Sequence, residues 1–218
     1  GPTPELFARW MQVGAFTPFF RVHSMQGSPN QEPWVFGGEV EAISRQYIEL
    51  RYRLLPYLYT AVWQAAMSGT PIARPLSFAY PEDRSTYSLD DQFLFGGSIL
   101  VAPVLEAGVT NRPVYLPAGL WFDFWNGRQH AGEQTIDADA PLDRLPLFVK
   151  AGSIIPLWPV QQYVGEQVID TLTLQVYWAA GEHTSLLYED DGLCSDYALP
   201  EKHRLSRLIL RGDDVRSS

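Results

Sequence analysis

The hydrophobic pattern divides the chain into a helical first third and a longer part that is rich in short strands. Between residues 39 and 69, apolar residues recur at every third or fourth position, which predicts a helix with one continuous apolar stripe. Pro56 falls inside this stripe and cannot donate a backbone hydrogen bond, so we expect one bent helix or two short ones. Gly69 is the expected end of this helical part.

A shorter helix is predicted near the beginning of the chain. Residues 4–15 place apolar side chains close to helical spacing. Thr3 can cap the helix through its hydroxyl oxygen, and Pro4 suits the first helical position.

The segment that follows, residues 16–24, predicts a short buried strand that ends in polar side chains. Its aromatic residues favour a strand covered on both faces. Arg21 and His23 flank Val22, so both would leave on the same side of the pleated chain. The loop after them is rich in Gly, Pro, Ser and Asn, as is typical of loops that line sites at strand ends. These residues alone leave two interpretations open, a binding pair or an ordinary surface contact.

After residue 69 the period becomes strand-like, and no helical pattern of comparable length returns. Short apolar runs alternate with clusters of Pro, Gly and Asp, which indicates an antiparallel sandwich. We expect breaks between domains near residues 81–91 and 156–167. The predicted strands lie in PIARPLSF, QFLFGGSILVAPVL, NRPVYLP, GLWFDFW, LPLFVKAGSIIPLW, TLTLQVYW and TSLLYEDDG.

Charge and composition exclude several kinds of partner. With 16 Lys and Arg against 25 Asp and Glu, the net charge of −9 argues against binding to nucleic acid or an anionic membrane. No apolar run is long enough to suggest a membrane span. Cys194 is the only cysteine and the four histidines are scattered, so we expect neither an internal disulfide nor a metal site.

Neighbouring Asp residues occur at residues 90–91, 190–191 and 213–214. Adjacent side chains on an extended chain point to opposite faces, so such a pair cannot flank one bond. We therefore expect these acids to be solvated and to form turns.

Taken together, eight segments resemble the C-terminal part of the retaining α-glycosidases of glycoside hydrolase family 31, which contains α-glucosidases and α-xylosidases. They occur in family order and cover nearly the whole chain. The matching segments are FFRVHS, NQEPWVFGGE, RYRLLPYLYT, GTPIARPLSF, QFLFGGSILVAPVL, GLWFDFWNG, PLFVKAGSIIP and LYEDDG.

The resemblance implies a fold that is α/β at first and then all-β. Residues 1–80 would form the last helix-strand-helix portion of a (β/α)8 TIM barrel. Residues 81–160 would form a proximal β-sandwich, and residues 161–218 the start of a distal one. In such barrels the site lies at the carboxyl ends of the strands, where Arg21 and His23 are expected.

The resemblance also implies roles for individual residues. His23 matches the histidine of the family's Arg-x-His motif, which binds sugar hydroxyls, and Arg21 would support it. Apart from the resemblance, Trp34 on the following loop is a candidate for stacking on a sugar ring, because an apolar sugar face suits an aromatic plane. The expected substrate is an oligosaccharide with terminal α-linked glucose, and the family needs no cofactor.

Retaining hydrolysis needs two carboxyl groups about 5–5.5 Å apart. In the family both are Asp residues on earlier barrel strands, which would precede Gly1, and neither motif is present here. We therefore expect this chain to be a C-terminal fragment that is inactive alone.

Other functions stay open at this point. The chain could be a non-catalytic carbohydrate-binding or interaction module, or a truncated product without function. Within the family, Ser24 and the loop after it favour an α-glucosidase, while an α-xylosidase or an α-glucosyltransferase remains an alternative.

Overall fold

The computed structural model describes residues 1–193 and 195–213. Cys194 and Asp214, the second member of the last carboxylate pair, lie outside these ranges. None of the helices in the described part of the chain combines the length and apolar character needed to cross a membrane.

The first helix, α1 (Pro4–Gly14), forms as predicted. The backbone N–H of Leu6 donates to the Thr3 hydroxyl oxygen over 3.2 Å, and Pro4 occupies the first turn, where its missing N–H costs nothing. Phe7 and Met11 are buried on one face of α1, whereas Trp10 on the other is 66% exposed.

The predicted strand at residues 16–24 is wrong. These residues form bends and irregular chain, and only Phe16 is buried. A strand covered on both faces needs hydrogen-bonded neighbours, and no strand of the described part lies beside this segment. The apolar run is therefore anchored in another way: the guanidinium of Arg51 donates to the carbonyl oxygens of Ala15, Thr17 and Pro18 over 2.8, 2.7 and 3.1 Å.

The break predicted at Pro56 is confirmed. The long helical segment forms α2 (Gly38–Arg53) and α3 (Leu55–Ser68), with Leu54 between them. Pro56 lies in the first turn of α3, the place where a proline is tolerated. Gly69 ends α3 in the left-handed conformation, with φ of 73°, also as predicted.

The rest of the chain is mainly antiparallel β-structure, interrupted by the four-residue helix α4 (Leu76–Ala79). Each predicted segment contains at least one strand, although PIARPLSF contributes only three strand residues before α4 begins. Strands β6, β7 and β12 were not predicted. The strands are β1 (Ala73–Pro75), β2 (Phe93–Phe95), β3 (Ile99–Val101), β4 (Asn111–Leu116), β5 (Leu120–Asp123), β6 (Gln129–Ala131), β7 (Gln134–Asp139), β8 (Leu147–Lys150), β9 (Ile154–Leu157), β10 (Thr173–Val176), β11 (Gly181–Asp190) and β12 (His203–Gly212).

A six-stranded sheet in the order β1-β2-β3-β8-β5-β6 forms one layer of the predicted sandwich. The β4–β7 pair packs against it, because Val114 and Leu116 of β4 share a core with Leu100, Trp121 and Phe148 of the larger sheet. All strand pairs are antiparallel.

The helical part and the sandwich share a second, larger core. Phe16 meets Phe95 of β2 edge to face, with ring centroids 5.7 Å apart. Tyr57 of α3 donates to the carbonyl oxygen of Phe95 over 2.8 Å and accepts from the backbone N–H of Ser98 over 3.1 Å. The segment after α1 is therefore positioned by two elements: α2 holds it through Arg51, and the sheet holds it through the contact of Phe16 with Phe95.

A buried arginine fixes α1 to loops of the sandwich. Arg9 is 8% exposed and donates to the carbonyl oxygens of Val109, Ala140, Pro141 and Arg144 over 2.8–3.3 Å. Because these acceptors lie 100 or more residues away along the chain, this single side chain holds distant segments together.

The β11–β12 hairpin docks on α3. Trp63 stacks on Tyr188 with ring centroids 5.2 Å apart, and the backbone N–H of Tyr188 donates to the Thr60 hydroxyl over 3.0 Å. Tyr59 and Tyr188 both donate to the carboxylate of Asp190, over 2.7–2.9 Å.

Candidate functional site

Arg21 and His23 lie together, although the strand that was expected to place them on one side does not form. The guanidinium of Arg21 contacts Nδ1 of His23, and both side chains are exposed. A guanidinium can only donate, so Nδ1 is the acceptor in this contact. A neutral imidazole in this contact carries its proton on Nε2, which makes no hydrogen bond to any described residue and can donate to a ligand.

This pair borders a cavity of about 480 Å³ between α1 and the irregular segment. Most of the lining is apolar, and Phe19 is 73% exposed beside it. The Arg21 guanidinium lies 5.8 Å from the centre of the Phe19 ring, a distance that suits a cation–π contact. The lining residues are Pro2, Leu6, Phe7, Trp10, Met11, Val13, Gly14, Thr17, Phe19, Phe20, Arg21, Val22, His23 and Gln31.

Several contacts position the segment that carries the pair. Arg51 donates the three hydrogen bonds described above. In addition, the Thr17 hydroxyl donates to the carbonyl oxygen of Gly14 over 2.8 Å. Gly14 itself packs against Phe20, because a Cβ built there would lie 2.7 Å from two ring atoms. The close approach needs a glycine and sets where the chain turns away from α1.

The cavity has hydrogen-bond donors but no carboxyl group. Among the described residues that line it there is neither Asp nor Glu, and Arg21 and His23 are its only ionisable side chains. It can therefore bind a polyhydroxyl ligand, but its lining supplies no nucleophile and no carboxylic acid for glycoside cleavage.

Two of the carboxylate pairs have structural partners away from this cavity. Asp91 forms an ion pair with the buried Arg112. Asp190 accepts from two tyrosines, which makes it less solvated than we expected. Burial raises the pKa of Asp190, but hydrogen bonds from Tyr188 and Tyr59 outweigh burial, so the pKa is lowered.

Trp34 lies apart from the Arg21–His23 pair. It belongs to a short 3-10 turn (Pro33–Phe36) that is anchored where Phe36 stacks on Phe7, with ring centroids 4.3 Å apart. The indole is 65% exposed and lines a different cavity, of about 180 Å³, together with Tyr52 and Gln161. The structure thus brings two of the three predicted residues together and not the third.

Sequence reasoning missed other residues that border these cavities. Trp10 and Phe19 line the cavity of His23, but helical and strand periodicity counted both as ordinary apolar positions. Gln161 lies in irregular chain and carried no signal. Within residues 1–193 and 195–213, no group of three or more His, Cys, Asp or Glu side chains is placed to hold a metal ion.

Two family models match the chain. Residues 1–61 match the glycosyl hydrolases family 31 TIM-barrel domain, and residues 69–155 match the glycosyl hydrolase family 31 C-terminal domain.

Individual relatives agree with these matches. Alpha-glucosidase 2 of Bacillus thermoamyloliquefaciens is 45% identical over 88% of this chain and 24% of its own length. A glucose complex of a family 31 dextranase from Flavobacterium johnsoniae superimposes with a TM-score of 0.93 at 44% identity, over 97% of this chain and 26% of that one. An alpha-xylosidase from Xanthomonas citri gives a TM-score of 0.88 at 41% identity, over 95% of this chain and 23% of that one. The chain thus spans about a quarter of these relatives.

Proposed function

Because the chain belongs to glycosyl hydrolase family 31, we propose that it is part of a retaining α-glycosidase that hydrolyses terminal α-glucosidic bonds of oligosaccharides. The similarity to an alpha-glucosidase over 88% of the chain supports this proposal. So does the likeness to a dextranase that was solved with glucose and, as a variant, with isomaltotriose.

The observation that carries the proposal is the contact between Arg21 and His23 at the edge of an apolar cavity. In the proposed complex, Nε2 of His23 donates to a hydroxyl of the terminal sugar. Arg21 holds the ring in the tautomer and orientation that this bond needs. Hydrogen bonds to sugar hydroxyls that strengthen in the transition state contribute several kcal/mol to glycoside hydrolysis.

The two catalytic carboxyl groups are proposed to come from a segment outside this chain. The cavity lining supports this, since it contains no Asp or Glu among the described residues. The 218-residue chain alone is then expected not to hydrolyse glycosides. In the same proposal, residues 1–80 belong to the catalytic barrel, residues 81–160 to a proximal β-sandwich and residues 161–218 to a distal one.

Glucose rather than xylose is the proposed terminal sugar. The similarity to alpha-glucosidase 2, at 45% identity, supports glucose. The identity to the alpha-xylosidase is almost as high, at 41%, so the choice between the two sugars depends on an experiment. Transfer to an acceptor sugar instead of water remains an alternative within the family. Trp34 is proposed as a further carbohydrate contact, on its own cavity.

The first test combines mass with activity. The natural gene product would be isolated from its source with an antibody raised against this chain, and its intact mass and hydrolysis of p-nitrophenyl α-glucoside would be measured. We expect an active product several times heavier than 24.6 kDa, and no hydrolysis by the 218-residue chain. A natural product of 24.6 kDa would contradict the proposal and favour a carbohydrate-binding module.

A further inference from the structure

We infer that a groove along α2, separate from the cavity of His23, is a binding site for a neutral oligosaccharide. Two cavities lie along this helix, one of about 490 Å³ and the other the 180 Å³ cavity of Trp34. Glu49 and Val160 line both, so the two cavities meet there and form one groove, which we call the α2 groove. This inference goes beyond the glycosidase proposal, which names only Trp34 among the residues of this groove and gives no site there.

Gln161 is the strongest indication of a ligand. Its side chain is only 5% exposed, yet neither Oε1 nor Nε2 has a hydrogen-bond partner within the described part of the chain. Leaving a buried amide unpaired costs free energy. Both amide atoms are covered in the free chain, so a ligand in the groove recovers this free energy once the side chain turns toward it. The amide offers both an acceptor and donors, and a sugar hydroxyl can likewise donate and accept.

Aromatic rings line both halves of the groove. Trp34 and Tyr52 border the smaller cavity, and Phe124 and Trp125 border the larger one. The indole N–H of Trp125 already donates to the carbonyl oxygen of Leu145 over 2.7 Å, so the ring offers a ligand only its apolar surface. A sugar has apolar faces and polar hydroxyl groups. Aromatic rings can pack against its faces while nearby polar side chains bind its hydroxyls.

The charges of the groove balance. Its lining holds two carboxylates, Glu41 and Glu49, and two guanidiniums, Arg45 and Arg53. Glu41 and Arg45 pair over 3.3 Å, so part of this charge is already neutralised. Because the positive and negative charges of the lining are equal in number, the groove has no net charge that would attract an anion or a cation. This favours a neutral ligand.

The larger half also offers unengaged polar side chains. Those of Gln46, Thr173 and Gln175 make no hydrogen bond to any residue in the described ranges. A volume of about 490 Å³ lies within the usual range of small-molecule sites, about 300–1,000 Å³. Aromatic surface, several free amide or hydroxyl groups and no net charge together fit a neutral polyhydroxyl chain.

The test is a titration of the intact 218-residue chain with isomaltotriose, followed by two-dimensional NMR of side-chain and backbone N–H groups. We expect shifts at the Trp34 indole and at the Gln161 amide. Gln161→Leu should weaken binding about tenfold or more, since it removes paired donors and acceptors. The same variant should not lower the melting temperature, because it replaces an unpaired buried amide with an apolar group.

Three variants complete the design. Trp34→Ala changes a largely exposed ring and should also weaken binding, which keeps the test valid if Gln161→Leu misfolds. Gln129→Leu, at an exposed position of β6 outside both cavities, is the matched control and should bind as the parent chain does. His23→Ala should leave this binding intact.

Each contrary result overturns the inference. Unchanged affinity in both Gln161→Leu and Trp34→Ala would do so, as would loss of the binding in His23→Ala. An absence of shifts in the parent chain at millimolar isomaltotriose would also overturn it. These results bear on the glycosidase proposal only at Trp34. The role of His23 and the hydrolysis itself are tested separately, by the mass and kinetics of the natural product.

Discussion

The Arg21 guanidinium lies against Nδ1 of His23, and this contact determines which nitrogen of the imidazole can donate to a ligand. In the proposed complex Arg21 is therefore a positioning residue, since it would act on the ligand through His23. Its own charge has a second neighbour, the Phe19 ring at 5.8 Å. The pair is held at the edge of an apolar cavity by a segment without regular secondary structure.

The first prediction concerns the tautomer of His23. In Arg21→Met, Nδ1 loses its donor, so the ring should exchange between its two neutral tautomers. Nitrogen-15 shifts of the His23 ring at neutral pH measure this directly. The parent chain should show protonation at Nε2, and Arg21→Met a mixture; Arg207→Met, on an exposed position of β12, should leave the shifts of His23 unchanged. A pure Nδ1–H tautomer in the parent chain would contradict the assignment.

The second prediction concerns Arg51, which holds the segment that leads to the pair. Arg51→Ala removes three charge-assisted hydrogen bonds to backbone carbonyls, and we expect a loss of about 2 kcal/mol or more in the free energy of unfolding. Chemical denaturation measures the change. Arg45→Ala removes only an exposed ion pair with Glu41 and should cost less than about 1 kcal/mol. Equal losses in the two variants would show that the three carbonyl contacts do not hold the segment.

The third prediction tests the close approach of Gly14 and Phe20. A methyl group at Gly14 would lie 2.7 Å from two atoms of the Phe20 ring, so Gly14→Ala should displace the ring and cost about 1–3 kcal/mol. The displacement of the Phe20 ring should also move His23, which lies three residues after Phe20. The NMR signals of His23 should report this movement. Gly38→Ala, at the start of α2, is the control, since nothing lies within 4 Å of its added Cβ. If both variants melt at the parent temperature, the packing of Gly14 on Phe20 is unimportant.

The fourth prediction concerns acid and the β11–β12 hairpin. Because the pKa of Asp190 is lowered in the folded chain, its bonds to Tyr59 and Tyr188 stabilise the hairpin above the unfolded pKa, about 3.9. This stability is fully present above pH about 4 and is lost as the pH falls through the lower, folded value. Fluorescence of Trp63, which stacks on Tyr188, should report the change.

Asp190→Asn provides the check on that fourth prediction. The amide accepts hydrogen bonds through only one of its two atoms, so the variant should be less stable at pH 7 and should lose the pH dependence below about pH 4. Asp170→Asn is the control, since among the residues that the structure describes the Asp170 carboxylate has one hydrogen-bond partner, the neighbouring Thr171 hydroxyl at 3.1 Å. If Asp190→Asn still loses hairpin stability in acid as the parent chain does, the acid transition belongs to a group other than Asp190.

Local signals predicted what depends on local physics. Thr3 and Pro4 mark the start of α1 because capping involves only residues within one turn. Pro56 places the break between α2 and α3 because the missing donor acts within its own helix. Gly69 ends α3 because it adopts a positive φ without steric cost.

What failed or was missed depends on distant partners. The apolar run at residues 16–24 has the composition of a strand, but a strand also needs neighbours, and the described part provides none beside it. Trp34 follows His23 by eleven residues, yet the stack of Phe36 on Phe7 directs it to another cavity. The burial of Gln161, which is only 5% exposed, arises from the folded chain and has no local sequence signal.

The central claim is that His23 binds the sugar from which the glycosidic bond is cleaved. The most direct test is kcat/KM of the natural gene product on p-nitrophenyl α-glucoside, with His23→Ala compared with Met25→Ala. Met25 is 82% exposed, does not line the cavity and lies two residues away, so its variant should keep the parent value within about twofold. We predict that His23→Ala lowers kcat/KM about 100-fold or more, as expected for a lost transition-state hydrogen bond. A value for His23→Ala equal to that of Met25→Ala would contradict the account.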